Sequence, residues 1–180
     1  TGDGETPYST TGLVSQWNMN ETSGTAVADS TTNNNGTATG TTIVDGKFGK
    51  ARQFNGTSDY IAAGTSVLNT PTAGSVEMWV KPTANGVANG GQPYLNTTLL
   101  TKDSTYMAIQ QLQSNKVRID YWDTGSVARA FDSGVSLTIN TWNHIGYTWN
   151  ASGSTIYING VADTTSALTW TNVHASQLNQ

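Results

Sequence analysis

The chain has 180 residues, a formal net charge of −4 and no cysteine, and no apolar run approaches the roughly 18 residues of a membrane-spanning helix. Its eight Lys and Arg residues are scattered singly, which gives no basic patch and argues against nucleic acid or an anionic membrane surface as a partner. Charged residues are only 11% of the chain, against about 25% in an average domain, so Asn, Thr, Ser and Gly must supply the polar surface, as in strands joined by turns.

The first residues differ in character from the rest. Residues 1–11 contain Gly, Pro, Ser and Thr without periodicity, so we expect a linker or extended arm, followed by one domain over residues 12–180. Because the chain begins at Thr1 rather than at Met, we expect a mature or excised segment of a longer protein. Residues 13–19 are predicted to form the first strand, with Leu13, Ser15, Trp17 and Met19 on one side.

The middle and end of the chain contain the clearest strands. In residues 75–82, apolar residues alternate with Glu77, Trp79 and Lys81, and Pro82 ends the strand. Residues 116–122 alternate in the same way. Residues 140–149 and 154–161 form two further alternating runs joined by an Asn-Ala-Ser-Gly turn. Short strands at intervals of about ten residues predict an all-β sandwich or barrel.

Several segments, in order and spacing, carry a family resemblance. They are GLVSQWNM (12–19), ETSGT (21–25), DGKFGKA (45–51), FNGTSDY (54–60), VEMWVKP (76–82), and a Trp-x-His strand followed by Tyr-Ile-Asn-Gly (142–160). Together they resemble the laminin-G-like, concanavalin A-type jelly rolls. The resemblance implies an antiparallel β-sandwich, a secreted or cell-surface protein, and binding rather than catalysis.

The end of the chain departs from the family pattern. Similar domains close with an Ile-Asp-Glu-Val-type strand and a nearby acid, whereas residues 168–180 contain neither, and no acid follows Asp163. We therefore expect either that the sequence is cut short or that a neighbouring copy or domain completes an open C-terminal edge.

Catalytic constellations are absent from the sequence. Retaining glycosidases of this fold use a Glu-x-Asp-x-x-Glu pattern. The three glutamates, Glu5, Glu21 and Glu77, show no such spacing. There are two histidines, no cysteine and no Gly-x-Ser-x-Gly elbow for nucleophilic catalysis. The sequence predicts that the protein is not an enzyme.

One loop is rich in oxygen ligands. Residues 29–36 combine Asp, Ser, Thr and Asn, and related domains often hold calcium at this place. The resemblance implies a structural Ca²⁺ held by Asp29, Asn33, Asn35 and Gly36. An ordinary Asx-rich turn is the alternative.

The best sugar platform is Trp122. Its alternation places it with Arg118 and Asp120 on a polar strand face, where an aromatic ring and polar groups can hold a saccharide. We expect Asp123, Tyr106 and Arg129 nearby, and we assign Trp17, Trp79, Trp142 and Trp149 to the core. The predicted function is a non-catalytic, carbohydrate-binding or adhesive module at the cell surface or outside the cell. The alternative is a structural subunit of an extracellular fibre, appendage or surface assembly.

Overall fold

The computed structural model describes residues 11–63, 72–86, 97–102, 107–122 and 127–167. In these residues all regular structure is β-strand, and every strand pair is antiparallel. No helix in them could cross a membrane. The chain separates into two compact units, Thr1–Val67 and Leu68–Gln180. The linker boundary at residue 11 and the single domain over residues 12–180 stay predictions.

The first unit contains a three-stranded sheet and a separate hairpin. The sheet has the order β1-β2-β5 and the hairpin pairs β3 with β4. In β2, Gly36 and Ala38 are buried and alternate with exposed threonines. The bounds are β1 (Ala26–Val27), β2 (Gly36–Thr39), β3 (Thr42–Asp45), β4 (Lys50–Gln53) and β5 (Tyr60–Ala62).

The predicted strand over residues 13–19 is wrong in extent. Only Trp17 forms a bridge, with Asp29. Met19 has a φ of 57°, a left-handed conformation that ends any extended run. The Trp17 indole is nevertheless anchored, because its Nε1 donates to the carbonyl of Asn34 at 2.8 Å.

The second unit contains two four-stranded sheets. Their strand orders are β10-β9-β8-β7 and β13-β12-β11-β6. The bounds are β6 (Gly74–Val80), β7 (Thr97–Lys102), β8 (Met107–Gln111), β9 (Lys116–Trp122), β10 (Ala128–Ser136), β11 (Asn143–Asn150), β12 (Gly153–Ile158) and β13 (Val161–Ser166).

The core of this unit lies between the two sheets. One sheet contributes alternate residues of β8 and β9, and the other contributes alternate residues of β11 and β12. The Phe131 and Tyr147 rings meet across the layers with centroids 6.4 Å apart. At one edge the Asp163 carboxylate in β13 accepts the N–H groups of Gly134 (2.5 Å) and Val135 (3.0 Å) in β10. The predicted antiparallel β-sandwich is therefore confirmed. Its most buried apolar residues are Met107, Ile109, Val117, Ile119, Ile145 and Ile156.

The assignment of Trp79 to the core is wrong. Trp79 is 39% exposed, whereas Trp149 is 3% exposed and belongs to the core. In β6 the inward positions belong to Val76, Met78 and Val80, since these pair with buried residues of β11. Strand alternation then turns Trp79 outward.

Candidate ligand-binding face

The loop predicted to bind calcium is organised around Asp29, which is 3% exposed. Its carboxylate accepts hydrogen bonds from the Gln16 amide (2.8 Å), the Thr31 amide (3.0 Å), the Thr31 hydroxyl (2.7 Å) and the Asn34 amide (3.0 Å). Burial alone raises the pKa of this carboxyl. The hydrogen bonds, led by that from Gln16, outweigh burial and hold the pKa well below its usual range.

This arrangement does not fit a calcium ion. Calcium needs oxygens whose lone pairs face the cation, but those of Asp29 face N–H and O–H donors. Asn35 uses its Oδ1 to accept the Asp29 amide at 2.9 Å, and Asn33 donates its amide to Thr31. Gly36 lies in β2. In the described residues, no group of three or more His, Asp or Glu could hold a metal. The loop has the geometry of an Asx-rich turn.

A polar cluster lies on the face of the sheet β10-β9-β8-β7 opposite its core residues. The register places Arg118 between Gln110 of β8 and Asp132 of β10. Arg118 donates from Nε (2.6 Å) and Nη2 (2.9 Å) to the two carboxylate oxygens of Asp132. This bidentate geometry fixes the guanidinium and directs its Nη1 away from Asp132. We call Gln110, Arg118, Asp120 and Asp132 the β9 polar face.

Asp120 is the unusual member of this face. Its cross-strand neighbours are Ala108 and Ala130, whose small side chains offer it no hydrogen-bond donor. Its Oδ2 is buried and has no hydrogen-bond partner among the described residues. Desolvation and, more weakly, repulsion by Asp132 outweigh the attraction of Arg118 and raise its pKa to about 6. A desolvated carboxyl without a donor is a characteristic of ligand sites.

The structure places two of the predicted ligand-binding residues side by side. Arg118 and Asp120 share one face of β9, as the alternation indicated. Trp122 is the last residue of β9 and pairs with Ala128, but its side chain lies outside the described part of the chain. Asp123 and Tyr106 are also outside the described residues.

The structure does not bring Arg129 to this face. Arg129 pairs with Tyr121, whose side chain is buried in the core, so strand alternation directs Arg129 to the opposite side of the sheet from Asp120. Sequence reasoning also missed Asp132. A hairpin centred on Gly125 would have paired Asp132 with Arg118, and opposite charges at such positions are a recognised stabilising pair.

The raised pKa of Asp120 has a testable consequence for stability. Because its folded pKa lies above the unfolded value of about 3.8, the folded state loses stability as the pH rises from about 4 to about 6. We therefore expect Asp120→Asn to raise the melting temperature at pH 8 and to leave it nearly unchanged at pH 4. Thermal unfolding at the two pH values checks this, and a stabilisation of equal size at both would contradict it.

These features define an all-β sandwich with a candidate ligand-binding face on one sheet and no metal cluster in the described residues. The sequence model of a laminin-G family within the concanavalin A-like lectin/glucanases superfamily matches residues 55–179. The match covers more than half of the chain, and the chain belongs to this family. No curated protein sequence matches it.

Solved structures share the fold at low sequence identity. The binding domain of Paraclostridial Mosquitocidal Protein 1 is similar with a TM-score of 0.61 and 18% identity, over 78% of this chain and 37% of that one. Domain 4 of AbnA, a GH43 extracellular arabinanase from Geobacillus stearothermophilus solved with arabinotriose, has a TM-score of 0.54 and 22% identity, over 81% of this chain and 74% of that one. An S-layer domain-containing protein of Clostridium thermocellum has a TM-score of 0.50 and 19% identity, over 85% of this chain and 71% of that one. At these identities the likeness shows the fold alone.

Proposed function

We propose that this chain is a non-catalytic, carbohydrate-binding module of a secreted or cell-surface protein, and that the β9 polar face contacts the ligand. The observation that carries the proposal is the Asp120 carboxyl, which lies between two alanines and whose buried Oδ2 has no hydrogen-bond partner in the described part of the chain. Sugar hydroxyls both donate and accept. They match an acceptor at Asp120 next to a donor at the Nη1 of Arg118, which the ion pair with Asp132 holds in place.

Family membership and two fold relatives support this class of ligand. The arabinanase domain was solved with arabinotriose, and the mosquitocidal toxin domain is described as a binding domain. The arabinanase is extracellular and the Clostridium thermocellum protein contains an S-layer domain, which supports a location outside the cell or at its surface here.

The carboxylates of the face favour binding over hydrolysis. A retaining glycosidase needs one carboxyl as acid and a second as nucleophile. Both oxygens of Asp132 are engaged by Arg118, so this carboxylate is not available to attack a sugar. Asp120 alone can accept or share a proton with a hydroxyl but does not complete the pair.

A glycan array followed by size-exclusion chromatography tests the proposal. We expect a monomer that is retained by at least one polysaccharide, with arabinan among those offered, and that releases no reducing sugar from it. A protein that binds no glycan on the array and elutes as polymers would contradict the proposal. That result would favour the structural-subunit alternative, for which the likeness to the S-layer domain is the specific support.

A further inference from the structure

The second sheet of the sandwich has its own polar and aromatic surface on the side away from the core. Trp79 in β6 is 39% exposed and pairs in register with His144 in β11. Their ring centroids lie 5.1 Å apart with planes tilted by 57°. The imidazole Nε2 lies 3.5 Å from Oε2 of Glu77, whose side chain is 62% exposed. The imidazole therefore contacts both the indole and a carboxylate.

The adjacent row of the same surface adds a second aromatic ring. Glu77 pairs with Gly146, and Gly146 pairs with Tyr157 of β12. The Tyr157 ring leans over the glycine, since a Cβ at Gly146 would lie 3.8 Å from its ring atoms. Trp79 and Tyr157 lie two strands and two residues apart in the sheet, a Cα–Cα distance of about 12 Å. The surface thus has a length of one to two sugar rings.

We infer that Glu77, Trp79, His144 and Tyr157 form a second saccharide-binding site, the Trp79 patch, specific for a neutral sugar. One sugar face stacks on the indole, and its hydroxyls bond to the Glu77 carboxylate and the imidazole. The ligand is neutral because the patch combines an acid, an imidazole and, two residues beyond Trp79, the exposed Lys81. Such a mixture complements hydroxyl groups better than a charged ligand.

The size of the apolar part favours a sugar over a protein partner. Among the described residues, Trp79 is the one large hydrophobic residue exposed on β6, β11 and β12. A stable protein interface buries about 800 Å² on each partner around several apolar anchors. One exposed indole, with the half-buried Tyr157 ring and hydrogen-bonding groups around it, matches the smaller, amphipathic face of a sugar ring.

The two sites lie on different sheets of the same sandwich and face away from its core. A monomer that binds one glycan chain at each site would cross-link the two chains. Binding through both sites would also increase the avidity. This inference concerns a different surface from the proposed function. The Trp79 patch and the β9 polar face are separable by mutation.

Isothermal titration and tryptophan fluorescence with arabinotriose, cellotriose and maltotriose test the inference. We expect at least one of these sugars to change the fluorescence of the native chain. Trp79→Ala should weaken this event about tenfold, the effect of losing one aromatic stacking contact, and Trp79→Phe should retain most of the affinity. Glu77→Gln should weaken binding without altering the fold, and Tyr60→Ala, which removes another exposed aromatic residue, should have no effect.

The Asp120→Ala variant separates the two sites. If it retains the Trp79-dependent event, the Trp79 patch stands whether or not the β9 polar face binds sugar. Unchanged affinity in Trp79→Ala for every sugar that binds the native chain would overturn the inference, as would an absence of binding by all three. A Trp79→Ala variant that changes only the elution volume would make the patch a protein contact and would also overturn it.

Discussion

Replacing Asp29 by alanine is expected to lower the free energy of unfolding by about 3 kcal/mol or more, since three buried or half-buried amides and one hydroxyl lose a charged acceptor. Asp29→Asn should be nearly as damaging, because its amide group would face donors. Urea unfolding measures the loss. Hydrogen exchange at the amides of Gln16, Thr31 and Asn34 should show it locally.

The control for this prediction is Asp45→Ala. Asp45 is also paired, with Lys50 at 2.7 Å, but its side chain is 91% exposed, so its replacement should lower the free energy of unfolding far less than the replacement of Asp29. Because the folded pKa of Asp29 is depressed, its stabilisation is complete above the unfolded value of about 3.8 and is lost as the pH falls below it. If calcium raises the melting temperature of the native chain but not that of Asp29→Ala, the conclusion that the Asp29 loop does not fit a calcium ion would be contradicted.

Replacing Asp120 by alanine is expected to reduce the affinity for the glycan found by the array at least tenfold, because a buried acceptor for a ligand hydroxyl disappears. Arg118→Ala should reduce it similarly, since the donor at Nη1 is lost. Isothermal titration measures both effects, with Asp45→Ala as an exposed-acid control. Loss of affinity in Asp120→Ala together with increased stability at pH 8 would exclude misfolding as the cause.

Protonation should act on the same site. A charged Asp120 accepts hydroxyl hydrogens better than a neutral one, so the affinity should fall as the pH drops below about 6, the pKa of this carboxyl. Asp120→Asn should show no such decrease over this range. A native affinity that is constant between pH 5 and pH 8 would count against a direct contact with Asp120.

The fold was predictable because its strands carry a simple pattern. In β9 the alternation of Val117 and Ile119 with Arg118 and Asp120 placed both sets on the correct faces. The same rule, applied to β6, also turned Trp79 outward. The prediction that Trp79 lies in the core gave the size and apolar character of tryptophan more weight than this alternation. Val76 and Met78 occupy the inward positions of β6 instead.

The site was predictable only in part, because register and burial depend on partners distant in sequence. The placement of Arg129 depends on its pairing with Tyr121. The raised pKa of Asp120 depends on the burial of its carboxyl, and burial is not visible in the composition of the chain. The loop at Asp29 has the ligand types of a calcium site. The Asp29 carboxylate is instead engaged by hydrogen bonds from amides such as that of Gln16, which lies 13 positions earlier. This contact forms only in the tertiary structure.

The binding surface can be located directly by following backbone amide resonances while the glycan is added. Our interpretation expects the largest shifts at residues 108–110, 118–120 and 130–132, with a second set at residues 77–79 and 144–146 for a neutral sugar. Shifts confined to residues 29–36, or none at the strands of either sheet, would show that the ligand uses neither face.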